Sequence, residues 1–208
     1  MDELLIYLRQ FATFTHSEIE HMAGLVQEIS LAEDEYFLDI DEIPKAFCFV
    51  RCGVLRAGCY NAVGEEVTKR FVVERHFLSD VYAIQQSIPS REFVQAAVKS
   101  KLMILTRSSI NELSAAVRNW ETTMAMIAIH VLKERENSAG RFPGSSATSR
   151  FMAFERSYPG LADRIGLGHV ASCLGMSVST LSRIKRSLVG LLPRGEVPRR
   201  QKCPLTGP

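Results

Sequence analysis

The segment Leu167 to Leu188, LGHVASCLGMSVSTLSRIKRSL, constrains the fold of this chain more than any other stretch. Val170, Ala171 and Leu174 fall on the inner face of one short helix, and Gly175 permits a tight turn. Ser177 is placed to cap a second helix whose inner face is Leu181, Ile184 and Leu188. The small Ala171 lets the two helices approach closely, so the pattern predicts a helix-turn-helix. On the outer face of the second helix stand Val178, Ser179, Ser182, Arg183 and Arg186. With Ser177 and Thr180 of its first turn, they form the candidate DNA-contacting set. A helix fits the major groove of duplex DNA, where an Arg fork bonds both acceptors of guanine and Ser contacts bases or phosphates.

An αα-hairpin that never meets nucleic acid has similar spacing. Charge separates the two readings. From Arg164 to the C-terminus eight Lys or Arg accompany a single acid, Glu196, whereas residues 1–163 hold 17 basic residues against 22 acidic ones. A basic end on an acidic body is the footprint of a polyanion-binding surface, because cations gain affinity by displacing counterions from phosphates.

The 208 residues, 46% hydrophobic and 23% charged, suit a globular protein of one or two domains. The start Met1-Asp2-Glu3 is acidic, and no run of ~18 uncharged apolar residues occurs, so a cytoplasmic protein with no membrane partner is expected. Cys48, Cys52, Cys59, Cys173 and Cys203 form no CxxC pair and are odd in number, which predicts reduced thiols.

Ser17-Glu18-Ile19-Glu20 has capping-box form and precedes Ile19, Met22, Val26 and Ile29 at helical spacing. From Tyr36 to Thr106 the pattern changes to strand-like runs at Tyr36–Ile40, Phe47–Arg51, Val54–Tyr60, Val67–Val73, Phe93–Val98 and Leu102–Thr106. Asn61-Ala62-Val63-Gly64 supplies a hairpin turn, and Gly53 interrupts an apolar run. A small sandwich or barrel is expected.

Ser109-Ile110-Asn111-Glu112 reads as a second capping box, opening one long helix over residues 109–139. Along it Ile110, Leu113, Val117, Trp120, Met124, Ile127 and Val131 alternate steps of three and four, the spacing of a coiled-coil seam. These seven are the candidate dimer interface. A helix lying on its own β domain also needs an apolar stripe, and that alternative stays open. Gly140-Arg141-Phe142-Pro143-Gly144-Ser145-Ser146 reads as a hinge, followed by a helix near Ala147–Ser157 that stops at Pro159-Gly160.

The chain resembles the cyclic-AMP receptor protein/FNR (Crp/Fnr) family of bacterial transcription regulators. The resemblance covers nearly everything up to Leu188. It is carried by the N-terminal helix, FVRCGVLRAGCYNAVGEEV, FLSDVYAIQQSIPSREFVQAA, the heptad helix and VASCLGMSVSTLSRIKR. It implies an α+β fold with a cyclic-nucleotide-binding-like sensory β-roll over residues 1–108, a dimerisation helix over 109–139 and a winged helix-turn-helix domain over 145–208. It further implies a homodimer on palindromic double-stranded DNA, an effector that shifts the dimer between two arrangements, and RNA polymerase as a further partner.

The departures carry information. Where nucleotide-binding members have a Gly-Glu pair this chain reads Leu78-Ser79-Asp80, and Ser90-Arg91 stands in place of Arg-Ser. Asp80, Ser90 and Arg91 are the candidate effector-binding residues, and the missing Glu argues against cyclic AMP in favour of another small-molecule effector, or none. No cysteine precedes Cys48, so the iron–sulfur cluster of one branch has no ligands here. His76 and His130 are the only places at which a haem reading could attach, and ordinary histidines are the expectation. Ser179 replaces the family's common Glu in the reading helix, which predicts a different operator, while Arg183 keeps the guanine-reading place. Residues 192–200 are too rich in Pro and charge for two regular wing strands, which leaves a rudimentary wing or a basic tail.

Two other functions make different demands on the sequence. A ligand-sensing interaction protein would use the same β domain without binding DNA. An enzyme would need clustered groups, whereas His16, His21, His76, His130 and His169 are dispersed and no catalytic grouping stands out.

Overall fold

A computed structural model of the chain describes residues 1–78, 81–139 and 146–188. Two helices come first, α1 (Asp2–Leu8) and α2 (His16–Leu25). The cap of α2 is Thr15 and not Ser17: Thr15 Oγ1 accepts from the Glu18 N–H at 3.3 Å, and the Thr15 N–H donates to Glu18 Oε2 at 2.7 Å. That reciprocal pair starts the helix two residues before the expected place. The helix stops at Leu25, so the expected apolar stripe is divided and Ile29 belongs to the next strand.

The strands are β1 (Gln27–Leu31), β2 (Tyr36–Leu38), β3 (Ala46–Tyr60), β4 (Glu66–Val72), β5 (Phe77–Leu78) and β6 (Phe93–Thr106), with the short helix α3 (Val81–Gln86) between the last two. They form an antiparallel sheet in the order β1-β6-β3-β4, with β2 also on β6 and β5 on β3. Pairs of predicted runs merge: Phe47–Arg51 with Val54–Tyr60 as β3, and Phe93–Val98 with Leu102–Thr106 as β6. The register slips between Val50 and Leu55, and this irregularity bends both long strands so that the sheet curls into a roll. Gly53 is what the bend requires. Its φ is +102°, and a Cβ there would lie 2.7 Å from the Ser100 Cα. Leu31, Val50, Leu55, Ala57, Val94 and Leu102 fill the inside of the roll.

The long helix expected over residues 109–139 is two helices, α4 (Arg107–Ala116) and α5 (Trp120–Ala139). Thr106 caps α4 by accepting from the Ser109 N–H, so the capping residue again precedes the expected one. The break lies at Val117–Asn119, where Asn119 takes φ +65° and its carbonyl accepts from both the N–H and the hydroxyl of Thr123. Both helices pack on the end of the roll with α1 and α2, around Trp120, Phe47, Phe49, Leu8 and Met22.

After the residues read as a hinge, of which 140–145 lie outside those described, come α6 (Ala147–Ser157), a 3-10 turn (Leu161–Asp163), α7 (Leu167–Cys173) and α8 (Val178–Leu188). Ser146 caps α6 through the Ser149 N–H. Residues 192–200, read as wing or tail, also lie outside the described residues. The core of these helices, Phe151, Phe154, Leu161, Val170, Leu174 and Leu181, runs on into Val54, Phe71 and Ala97 of the sheet. The fold class is α+β: a β-roll, a long helix, and a C-terminal helix-turn-helix.

Candidate functional site

Helices α7 and α8 meet at the turn that the sequence places at Gly175, whose φ is +60°. The Met176 N–H donates to the Ala171 carbonyl at 3.0 Å, closing the C-terminus of α7. Arg150 of α6 spans the same turn, its Nε donating to the Leu174 carbonyl at 2.9 Å and its Nη2 to the Gly175 carbonyl at 3.4 Å. Ser177 caps α8, accepting from the Thr180 N–H at 3.2 Å. Val170, Ala171, Leu181 and Ile184 are buried between the helices.

This packing turns one face of α8 to solvent. Ser177, Val178, Ser179, Arg183 and Arg186 are exposed, and Ser182 and Thr180 are half-buried at the edge of that face. Arg186 Nη2 donates to Ser182 Oγ at 3.2 Å, one helical turn back. The remaining cation of the helix is engaged elsewhere. Lys185 Nζ donates to the Ala162 carbonyl at 2.9 Å and to Asp163 Oδ1 at 2.6 Å, which ties α8 to the 3-10 turn.

The first helix of the pair, α7, lies on β4 at the edge of the sheet. The Thr68 N–H donates to Ser172 Oγ at 3.0 Å, so a hydroxyl covers a strand edge that would otherwise stay unpaired. Arg164 Nη1 donates to Glu74 Oε2 at 3.1 Å, and Tyr158 and Phe154 pack against Phe71 with ring centroids 6.1 and 6.0 Å away. His169 Nε2 stands 3.9 Å from Asp34 Oδ1. Burial, and then the Arg56 charge beneath it, pull His169 below its usual pKa.

The seven residues read as a dimer seam occupy another place. Ile110, Leu113, Val117, Trp120, Met124, Ile127 and Val131 all belong to the chain's own core, none more than 6% exposed. This corrects the seam: a side chain without accessible surface has nothing to offer a second protomer. Their spacing comes from α4 and α5 lying on the β-roll, the alternative open at the sequence level. The exposed side of α5 is itself apolar, with Met126 47%, Ile129 48% and Leu132 55% exposed. Thr122 precedes Met126 by four residues, and 122, 126, 129 and 132 keep to one side of the helix.

A cavity of about 520 Å³ opens where β2, β4, α3 and the start of β6 meet α5. Ser90 and Arg91, two of the expected effector residues, line it; Asp80 lies outside the described residues. The Ser90 hydroxyl serves the loop, donating to the Glu92 carbonyl at 2.6 Å. The sequence reading missed the rest of the polar wall, which is Arg70, Glu92, Lys69 and Arg135. Arg70 Nη2 and Arg135 Nη2 each donate to Glu92 Oε2 at 2.9 Å, and Lys69 Nζ lies 3.9 Å from Glu92 Oε1. Burial works to raise the Glu92 pKa, but the Arg70 and Arg135 charges prevail and hold it below the ordinary carboxylate range. The available signal was alternation: Arg70 shares a strand face with Val72, which points into the roll.

His76 and His130, the two places considered for haem, flank one carboxylate. His76 Nε2 is 3.3 Å and His130 Nδ1 4.0 Å from Glu134 Oε1, and the hydroxyl of Tyr7 is 3.2 Å from His130 Nδ1. Among the described residues no group of three or more His, Cys, Asp or Glu is arranged to hold a metal ion, and no helix is long and apolar enough to cross a membrane. Burial raises the Cys48 and Cys173 thiols, Cys173 to about 12, which leaves both without thiolate character.

No protein-family model and no curated protein matches the sequence. Solved structures do match in fold. FixK2 from Bradyrhizobium japonicum is 17% identical with a TM-score of 0.66, over 80% of this chain and 85% of that one. The c-di-GMP-responsive global regulator CLP of Xanthomonas campestris is 12% identical with a TM-score of 0.65, over 88% and 97%. The catabolite activator protein of Thermus thermophilus is 15% identical with a TM-score of 0.53, over 89% and 87%. The chain thus has the fold of the Crp/Fnr-type regulators, a cyclic-nucleotide-binding-like β-roll joined through a long helix to a helix-turn-helix.

Proposed function

We propose that the chain is a DNA-binding transcription regulator of the Crp/Fnr type, acting as a homodimer in the cytoplasm and not as an enzyme. The observation that carries this reading is the outward face of α8. Arg183, Arg186, Ser179 and Val178 stand exposed on a helix whose start is capped by Ser177 and whose inner side is locked by Leu181 and Ile184. A helix so held presents donors to a major groove with little backbone freedom to lose. The same face gives the DNA-free interaction protein no support, because a structural hairpin has no need of a solvent-facing Arg and Ser row.

Dimerisation through α5 accompanies this reading, on the Met126, Ile129 and Leu132 side. Apolar side chains in one stripe of an exposed helix are the usual seam of paired helices. Two recognition helices related by that pairing call for a palindromic site with half-sites about one helical turn apart. RNA polymerase as a partner rests on the family resemblance alone. An effector in the β-roll is supported by the cavity between the sheet and α5.

The experiment is selection of bound sequences from a random duplex pool with the purified full chain. The expected result is a palindromic consensus whose affinity falls steeply with salt. Recovery of no enriched sequence would sink the reading.

A further inference from the structure

The cavity walls are unevenly charged. Among the described lining residues four are cationic, Lys69, Arg70, Arg91 and Arg135, and one, Glu92, is anionic. Three of the four cations already converge on that one carboxylate. A single carboxylate shared in this way leaves local positive charge in a half-enclosed space, where it is screened less than at the surface. Arg70 is the most buried of the four. Its side chain is 13% exposed, and its Nε is buried with no hydrogen-bond partner among the described residues. A buried guanidinium N–H without an acceptor costs free energy that an entering acceptor would recover. The other walls are apolar, including Phe37, Leu38, Leu78, Ile84, Ile88 and Val94.

We infer that this cavity binds a small organic dianion, a phosphate monoester or a dicarboxylate with an apolar body, whose charged end is held by Arg70 and Arg135 beside Glu92. The inference deepens the reading of the β-roll as a sensory domain and rests on it. The two arginines come from different elements. Arg70 is on β4 and Arg135 is on α5, the helix that also carries the exposed Met126, Ile129 and Leu132. A dianion bridging them fastens α5 to the sheet more firmly than Glu92 alone, because two guanidinium forks then share two further acceptors. Glu92 competes with the ligand for both forks, so its removal favours the ligand.

The test is calorimetric titration of the full chain with phenyl phosphate, phthalate and benzoate, which share an aromatic body and differ in charge and head group. The dianions should bind at least about tenfold more tightly than benzoate, as one added charge-assisted contact provides. Whichever of phenyl phosphate and phthalate binds better identifies the head group. Arg70→Met should weaken that ligand by about ten- to hundredfold. Glu92→Gln should tighten it several-fold, an outcome that a purely structural ion pair does not produce. Circular dichroism of each variant separates loss of the site from loss of the fold. Equal affinity for benzoate and the dianions, or no gain on Glu92→Gln in a folded protein, overturns the inference. The DNA selection is a separate readout. A chain that selects a palindrome but binds no dianion loses this inference alone, and one that binds dianions but selects no DNA loses the regulator reading alone.

Discussion

His76 Nε2 lies 3.3 Å from Glu134 Oε1, and this pair fastens the turn before β5 to the last third of α5. The hydrogen bond to Glu134 outweighs partial burial and raises the His76 pKa above its usual 6.5, with the Glu74 carbonyl, 2.9 Å from Nδ1, acting in the same direction. His130 and Tyr7 are the other groups at this point. A raised folded pKa means that the folded state holds the proton more tightly. The contribution is then complete below about 6.5 and is lost as the pH rises through the folded value. Urea midpoints should fall between pH ~6 and ~8, and His76→Gln should flatten that slope. Both side chains are more than a third exposed, so the effect should stay under about 1 kcal/mol.

The two sides of α5 should respond to substitution in opposite ways. Ile129→Asp and Leu132→Asp sit on exposed positions and should leave the chain folded while shifting it from dimer to monomer in sedimentation. Ile127→Asp places a charge where the exposure is 0% and should unfold the protein. Trp120→Ala should cost about 3–5 kcal/mol. Trp120→Phe should cost far less than that, since the indole Nε1 is buried without an acceptor among the described residues and leaves no partner stranded. Folded monomers from Ile127→Asp would restore the inner stripe as the interface.

That contrast marks where the sequence is legible and where it is not. The helix-turn-helix and the strand runs follow from local rules of spacing and turn chemistry, and the structure places them within a few residues of expectation. The apolar stripe from Ile110 to Val131 is equally plain, but spacing alone does not say what covers it. The break at Val117–Asn119 depends on Asn119 entering the left-handed region, which the residue type tolerates without announcing it. Arg70, Glu92 and Arg135 meet only because the roll and α5 bring together positions far apart in the chain, and no local motif records that meeting.

On α8, Arg183 and Arg186 should read DNA while Lys185 should not. Arg183→Ala should remove about 1–3 kcal/mol of discrimination between selected and random duplexes and leave thermal stability unchanged, because the side chain is exposed. Lys185→Ala should lower stability by about 1 kcal/mol through loss of its bonds to the Ala162 carbonyl and Asp163. Competition binding against both DNAs, run beside thermal melts, separates the two outcomes. Equal loss of specific and random binding on Arg183→Ala would remove it from base reading.

His169 has the opposite sign from His76 and acts at the other junction, where α7 lies on β4. Burial first, and then the Arg56 charge, lower its pKa below 6.5 despite Asp34 and Glu66 nearby, so the docked state disfavours the proton. The contribution of this contact is therefore complete above about 6.5 and is lost as the pH falls from there through the lower folded value. The Thr68 amide, whose N–H donates to Ser172 Oγ, reports on the same contact. Its hydrogen-exchange protection, corrected for the intrinsic pH dependence, should drop between pH ~7 and ~5.5. Core amides such as Leu102 should stay protected over that range. His169→Gln should keep Thr68 protection level across the window, since its amide carries no charge at either end. A drop of the same size in that variant would remove His169 as the group responsible.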